Sequence, residues 1–369
     1  MALGIGIVGL PNVGKSTLFN ALLGTAQAAA ANYPFCTIEP NLGVVPVPDK
    51  RLDDLSALFK PEKTTPTTLE FIDIAGLVAG ASKGEGLGNQ FLATIREVDA
   101  IAHVLRCFVD GDVIHVAGQV DPRSDRDVVE TELMLKDLEG VEKRRERTAK
   151  NTKSAGKVGE LAKAEMVLLD VLRQGLDGGT PARLQKLSVE ARALARELSL
   201  LTAKPVLYIA NVDESQLGNR DDPNVAKVKA LADAEGAPMV VISGKVESEL
   251  VELAPAERAE FLVSLGLAEP GLNRLVRAGY ELLHLITYFT SGADECRAWT
   301  VHRGDTAPKA AGVIHTDFEK GFIKAEVIKV EDLLELKTDA ACREKGKLRI
   351  EGREYVVQDG DVMHFRFNV

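Results

Sequence analysis

The chain has 369 residues, 45% hydrophobic and 27% charged, which exceeds one compact core, predicts two or three domains, and excludes a disordered or collagen-like chain. Its 45 Lys and Arg against 55 Asp and Glu leave a balance of −10, so any contact with nucleic acid must rest on a local cluster of positive charge. Four scattered cysteines, Cys36, Cys107, Cys296 and Cys342, form no CxxC pair, which argues against a zinc site or a disulfide framework and fits a reducing cytoplasm.

At the amino end no basic leader appears, and nowhere does an apolar run approach about 18 residues, so neither export nor a membrane span is expected. The first eight residues form an apolar run ending at Gly9; a glycine-rich turn follows, and 16–23 is apolar at helical spacing. This predicts strand, loop and helix. Further β-branched runs at 42–47, 69–74, 101–105, 206–210 and 239–242 alternate with helix-like segments, the signature of a doubly wound α/β sheet. From about 127 to 201 the rhythm stops. There Leu184, Leu187, Ala191, Leu194 and Leu198 repeat at 3-4-3-4 spacing, and Val158, Leu161, Leu169, Leu172 and Leu176 mark a similar stripe, predicting an inserted α-helical coiled-coil hairpin. Its turn carries Lys143, Arg144, Arg145, Arg147, Lys150, Lys153 and Lys157, a positive tip on an acidic protein. After an amphipathic helix around 272–285, short strands at 297–301, 321–330, 348–350, 355–357 and 362–367, with a helix near 330–336, predict a small α+β domain in which Trp299 packs into the core. The expected domains are a nucleotide-binding domain over 1–126 and 202–282, a helical insertion over 127–201 and a carboxy-terminal domain over 283–369.

The chemistry lies near the start. Gly9-Leu10-Pro11-Asn12-Val13-Gly14-Lys15-Ser16 matches GxxxxGK[ST] between a predicted strand and helix, the context of a P-loop. The backbone from Asn12 through Val13 and Gly14 to Ser16 and Thr17 is expected to close on the β-phosphate. Lys15 supplies charge to the β- and γ-phosphates, and Ser16 offers a hydroxyl to Mg²⁺. Asp73-Ile74-Ala75-Gly76 reads as DxxG, with Asp73 holding Mg²⁺ through water and the Gly76 amide meeting a γ-phosphate; Thr37 is the second hydroxyl expected on the metal. The next residue is Leu77, which can neither donate nor accept where many GTPases carry glutamine. Another polar group must then reach the attacking water, or hydrolysis is slow. His115, in a loop, is preferred over His103, within a strand. The run 80–88, with Gly80, Gly84, Gly86 and Gly88, suggests a segment that reorders with nucleotide.

Base choice stays open on chemistry alone. The strand at 206–210 runs into Asn211-Val212-Asp213-Glu214, where NKxD would put a lysine at the second position and an aspartate at the fourth. A carboxylate of Glu214 aimed at N1 suits guanine; turned away, it makes adenine tolerable. Ser243-Gly244-Lys245 resembles the SAK element only loosely.

Together these residues resemble the YchF family, the Obg-like ATPases, within the translation-factor-related P-loop GTPases. The likeness is carried over the whole chain by Gly9 to Thr17, by Tyr33-Pro34-Phe35-Cys36-Thr37-Ile38-Glu39-Pro40-Asn41, by Asp73 to Val78, by Gly84 to Phe91 and by the NxxE run at Asn211 to Glu214. His315 to Ile323 and Asp359-Gly360-Asp361-Val362 resemble a TGS domain, a ubiquitin-like β-grasp module. The resemblance implies ATP in preference to GTP, a hydrophobic residue at Leu77, and Val212 beside the adenine. It also implies K⁺ at Asn12, His115 on the loop used in hydrolysis, and binding to the ribosome, with its large subunit, rRNA and ribosomal proteins as contacts. The expected function is a cytoplasmic, ribosome-associated, Mg²⁺-dependent ATPase acting as a nucleotide switch, with no membrane or DNA partner. Two alternatives stand beside it: a GTPase of ordinary specificity, and a non-hydrolysing module that keeps ATP as a structural ligand.

Overall fold

The computed structural model describes residues 3–30, 38–39, 41–74, 87–110, 115, 118–219 and 221–368. The chain divides into two compact units, one of 1–24, 39–43 and 70–274, the other of 25–38, 44–69 and 275–369. Among the described residues no helix is long and apolar enough to cross a membrane.

The first unit is organised by a seven-stranded sheet of β1 (Gly4–Val8), β2 (Ile38–Glu39), β3 (Leu42–Pro46), β5 (Thr68–Asp73), β6 (Ala100–Arg106), β7 (Val206–Asn211) and β8 (Met239–Ile242), in the order β2-β3-β5-β1-β6-β7-β8. From β5 across β1, β6 and β7 to β8 the pairing is parallel. Strands β1, β6 and β7 are buried along their whole length, so they read as mainly apolar runs, with His103 inside β6, and not as polar–apolar alternation. The crossovers run through α1 (Lys15–Ala30), α3 (Leu87–Glu97) and α7 (Pro223–Glu235), with α8 (Gly244–Glu252) and α9 (Pro255–Ser264) after the last strand. Helix α7 shows how locally these ends are written: the Asp222 carboxylate caps the Asn224 and Val225 amides, Pro223 fills the first turn, and Gly236 closes it at φ 64°. Gly9, Asp73, Arg106 and Asn211 all stand at the carboxyl ends of parallel strands, the edge at which open α/β sheets take ligands.

The second unit holds a six-stranded sheet. Its strands are β4 (Lys63–Thr65), β9 (Leu285–Thr290), β10 (Glu295–His302), β11 (Phe322–Lys329), β12 (Arg349–Glu351) and β13 (Asp361–Phe367), ordered β12-β11-β13-β9-β10-β4. Helix α11 (Ala307–Ile314) packs Ala307, Ala310 and Ala311 against Tyr288, Val327 and Met363, the arrangement of a β-grasp. The Asp359-Gly360-Asp361 run is structural here. Asp361 accepts from Tyr355 Oη at 2.7 Å and Gln358 N at 2.9 Å, while Asp359 accepts from Thr287 N at 2.9 Å and Arg51 Nη1 at 2.6 Å. Trp299 is partly buried against the same core and donates to Thr290 Oγ1 at 2.9 Å.

Two boundaries differ from the sequence expectation. Residues 44–69, expected in the nucleotide-binding domain, cluster with the carboxy-terminal unit: α2 (Lys50–Phe59) packs Leu52 and Leu55 on Phe289 and Val362, and β4 runs parallel to β10. The helix expected to 285 ends earlier. Helix α10 (Gly271–Leu282) stops before His284, which is left-handed at φ 54°, and the chain turns directly into β9. A short apolar run such as 285–290 has no period that separates strand from helix.

The helical insertion forms, but its second arm is broken. Helix α4 (Pro122–Asn151) turns into α5 (Lys157–Asp177), and α6 (Val189–Glu197) follows only after a 3₁₀ turn at Ala182–Leu184. Gly178, Gly179 and Pro181 interrupt the periodic pattern, and Ser188 caps the new helix through the Ala191 amide. Leu187, Ala191 and Leu194 therefore join Val141, Leu169, Leu172 and Leu176 in one core, whereas Leu184 is 37% exposed. Val158 and Leu161, expected in the upstream stripe, are 58% and 60% exposed. A buried network fixes the base of the hairpin: Arg183 bridges Glu130 at 2.8 Å and Glu235 at 3.0 Å, and Arg126 pairs with the same Glu235. Nearby, Asp137 accepts from Leu201 N, Thr202 N and Thr202 Oγ1 at 2.7, 2.8 and 2.6 Å.

Candidate functional site

The loop between β1 and α1 is held by its carbonyls. Leu10 O accepts from Lys15 Nζ at 2.7 Å, Asn12 O from Arg106 Nη1 at 3.4 Å, Val13 O from Asn211 Nδ2 at 2.8 Å and Gly14 O from Leu18 N at 3.0 Å. Asn12 and Gly14 are left-handed at φ 62° and 94°, which with the residues between them makes a concave nest of amides suited to an anion. Glycine is required twice. A Cβ at Gly14 would lie 2.2 Å from Asn211 Nδ2, and one at Gly9 2.6 Å from Val104 O.

Electrostatics at the loop suit a polyphosphate. Lys15 is buried, and burial lowers its pKa to about 8 although Asp73 pulls it upward. Asp73 is pushed up from the ordinary carboxylate range by burial, against the opposing pull of Lys15 and Ser16. Its Oδ2 lies 3.5 Å from Ser16 Oγ, and its Oδ1 is buried with no hydrogen-bond partner among the described residues. An orphaned carboxylate oxygen beside a hydroxyl at a helix start fits a hard divalent cation, which takes oxygen ligands.

On the side expected to meet the base, the residues divide. Asn211 is buried and spends both ends of its carboxamide on backbone, donating to Val13 O and accepting from Gly244 N at 3.0 Å. It serves as a strut between the loop and α8. Val212 is buried, with its amide on Ile242 O at 2.9 Å, and Ser243 is the buried cap of α8. Glu214 is exposed at the start of a 3₁₀ turn, Glu214–Gln216, capped by Asp213, and Thr17 is exposed on the first turn of α1. Thr37, Gly76 and Leu77 lie outside the described residues, as does the glycine-rich run up to Gly86; Leu87 and Gly88 open α3. His115 is described and buried, with Nε2 2.9 Å from Asp125 Oδ2. His103 is fully enclosed in β6, where burial lowers its pKa to about 3, so it stays neutral.

Sequence reasoning missed Arg106. This fully buried guanidinium ends β6, donates to Phe108 O at 3.1 Å, Asn12 O at 3.4 Å and Asp110 O at 3.5 Å, and lies 4.4 Å from the Phe108 ring centre. Its only sequence signal is a cation at the end of a strand whose other positions are five aliphatic residues and His103.

The parallel sheet, the P-loop at its carboxyl edge and the Ser16–Asp73 pair define a P-loop nucleoside-triphosphatase. Comparison with known proteins narrows the class. A family model described as "50S ribosome-binding GTPase" matches residues 4–131, and one described as "Protein of unknown function (DUF933)", named YchF-GTPase_C, matches 285–368. The chain is 55% identical to a "Ribosome-binding ATPase YchF" of Pasteurella multocida over 99% of both chains, and 53% identical to one of Bacillus subtilis over 100% of both. A solved "Structure of the Schizosaccharomyces pombe YchF GTPase" superposes with a TM-score of 0.89 at 41% identity, covering 99% of this chain and 97% of that one. The chain belongs to the YchF family.

With its pKa lowered to about 8, Lys15 loses its charge progressively as pH rises through that value, and a polyphosphate favours its charged form. Nucleotide affinity is therefore expected to fall as pH rises through 8 to 9, with binding taking up a proton at the upper end. Calorimetry at about pH 9 in two buffers of different ionisation enthalpy measures that uptake, and Lys15→Met should abolish it.

Proposed function

We propose that this chain hydrolyses ATP with Mg²⁺ and works as a slow nucleotide switch on the ribosome, in the cytoplasm. The observation that carries the reading is the orphaned Asp73 carboxylate beside Ser16, next to a loop in which the carbonyls of Leu10, Asn12, Val13 and Gly14 are turned to protein donors. In this reading the amides from Asn12 to Thr17 bind the phosphates, Lys15 balances their charge, and Ser16, Thr37 and Asp73, the last through water, hold Mg²⁺. The cation supplies charge neutralisation on the phosphoryl oxygens. Asn12 is the K⁺ ligand of the proposal, the Gly76 amide meets the γ-phosphate, and His115 takes the water-directing role that Leu77 cannot.

Adenine is favoured because Glu214 stands exposed and no lysine follows Asn211, which removes the usual grip on guanine. The YchF relatives' printed names divide between ATPase and GTPase, and so the base is the point to test. Parallel titrations and phosphate-release assays in potassium buffer are expected to give tighter binding and faster turnover with ATP. Tighter GTP binding would instead make Glu214 a guanine reader, and binding of ATP without phosphate release would make the chain a non-hydrolysing module.

The ribosome contact is assigned to the hairpin tip, within a narrower set of cations than the sequence suggested. Lys143, Arg144 and Arg145 are spent inside the hairpin: Lys143 pairs with Glu139, Arg144 lies 2.6 Å from Glu165, and Arg145 lies 2.6 Å from Asp170. Arg147, Lys150, Lys153 and Lys157 are exposed and make no ion pair among the described residues, and no acid falls between Glu146 and Glu160. Reversing these four to glutamate should weaken ribosome co-sedimentation and flatten its salt dependence, leaving ATP turnover of the isolated protein unchanged. Unaltered co-sedimentation would remove the tip from the contact.

A further inference from the structure

The loop histidine is not presented alone. His115 Nε2 lies 2.9 Å from Asp125 Oδ2, with the two side chains only 4% and 3% exposed. Asp125 belongs to the first turn of α4, and its own amide is fixed to Asp121 O at 3.0 Å, so the carboxylate is carried by a rigid element while the imidazole comes from a loop. Among the described residues, Asp121 and Arg106 also act on this carboxylate. Arg106 is the cation that holds Asn12 O, which brings the His115–Asp125 pair within electrostatic reach of the P-loop.

We propose that Asp125 is the positioning residue for His115. By accepting the Nε2 proton it fixes the imidazole as the Nε2–H tautomer, which makes Nδ1 the basic nitrogen, and it sets the plane of the ring. A bond to a helix-borne carboxylate restricts the orientations open to an imidazole carried by a loop. A histidine oriented by a carboxylate is the arrangement that general acid–base sites use on unrelated folds. The inference rests on His115 serving hydrolysis, as proposed above.

The test uses the full chain with Mg²⁺, K⁺ and ATP, measuring kcat and KM for the parent, Asp125→Asn, His115→Ala and the double variant, with thermal unfolding recorded for each. Asp125→Asn is expected to lower kcat by about tenfold to a hundredfold with KM within about twofold, and Asp125→Glu to recover part of the loss. In the His115→Ala background the Asp125 change should cost nothing further. If Asp125→Asn slows that background by the same factor as it slows the parent, the positioning role is overturned while His115 keeps its own. If His115→Ala turns over at the parental rate, the histidine's role fails and the assignment to Asp125 fails with it. Should the Asp125 variants not fold, the imidazole ¹⁵N signals of His115 in the parent decide: an Nε2–H tautomer upholds the pairing, and an Nδ1–H tautomer refutes it.

Discussion

A loop that binds an anion through its amides must have its carbonyls restrained by something else, and here every restraint comes from the protein. Four carbonyls between Leu10 and Gly14 accept from Lys15, Arg106, Asn211 and the α1 backbone. Each donor stands at a place the parallel sheet dictates: Arg106 closes β6, Asn211 closes β7, and α1 starts where the loop ends. The sheet thereby pre-arranges the nest, and binding need not pay the entropy of ordering it.

The arrangement is selective about which charge it buries. Arg106 is enclosed and donates to three carbonyls, and burial drags its pKa down against the opposing pull of Asp110 and Asp125. Lys15 is likewise depressed. Two desolvated cations at the carboxyl edge of the sheet leave a positive potential that a triphosphate with its cation relieves, which couples affinity for the ligand to the stability of the site. Asp73, with one oxygen lacking a partner among the described residues, is the complementary demand for a cation at the same edge.

Much of this was legible in the sequence because it is local. The P-loop spacing, the DxxG element and the buried strands each declare themselves within a few residues, and the strands at β1, β5, β6, β7 and β8 fall where the apolar runs do. What escaped was long-range. The stretch between β3 and β5 reaches the carboxy-terminal sheet through a parallel pairing of β4 with β10, some 230 positions apart, and no local pattern announces that. Arg106 looks like a strand terminus until Asn12 O is seen beside it, and the tie that Asn211 makes between the P-loop and α8 shows only when Val13 O and Gly244 N are found at the two ends of its carboxamide. The hairpin stripe misled at Leu184 because Gly178, Gly179 and Pro181 break the helix that its spacing continues on paper.

Helix α4 carries Asp125, the proposed positioning residue for His115, in its first turn and leads, through Arg147 and Lys150 in its last turns, to the basic tip, which places the two proposed activities of the first unit on one element. Both depend on a P-loop that is already formed. The most direct measurement is therefore calorimetric affinity for Mg²⁺-ATP in the parent and in Asn211→Ala, which takes the donor from Val13 O and leaves the P-loop sequence intact. The account predicts saturable binding by the parent and a loss of about tenfold or more in a variant that remains folded. Equal affinity in the two proteins, or no binding by the parent, would contradict it.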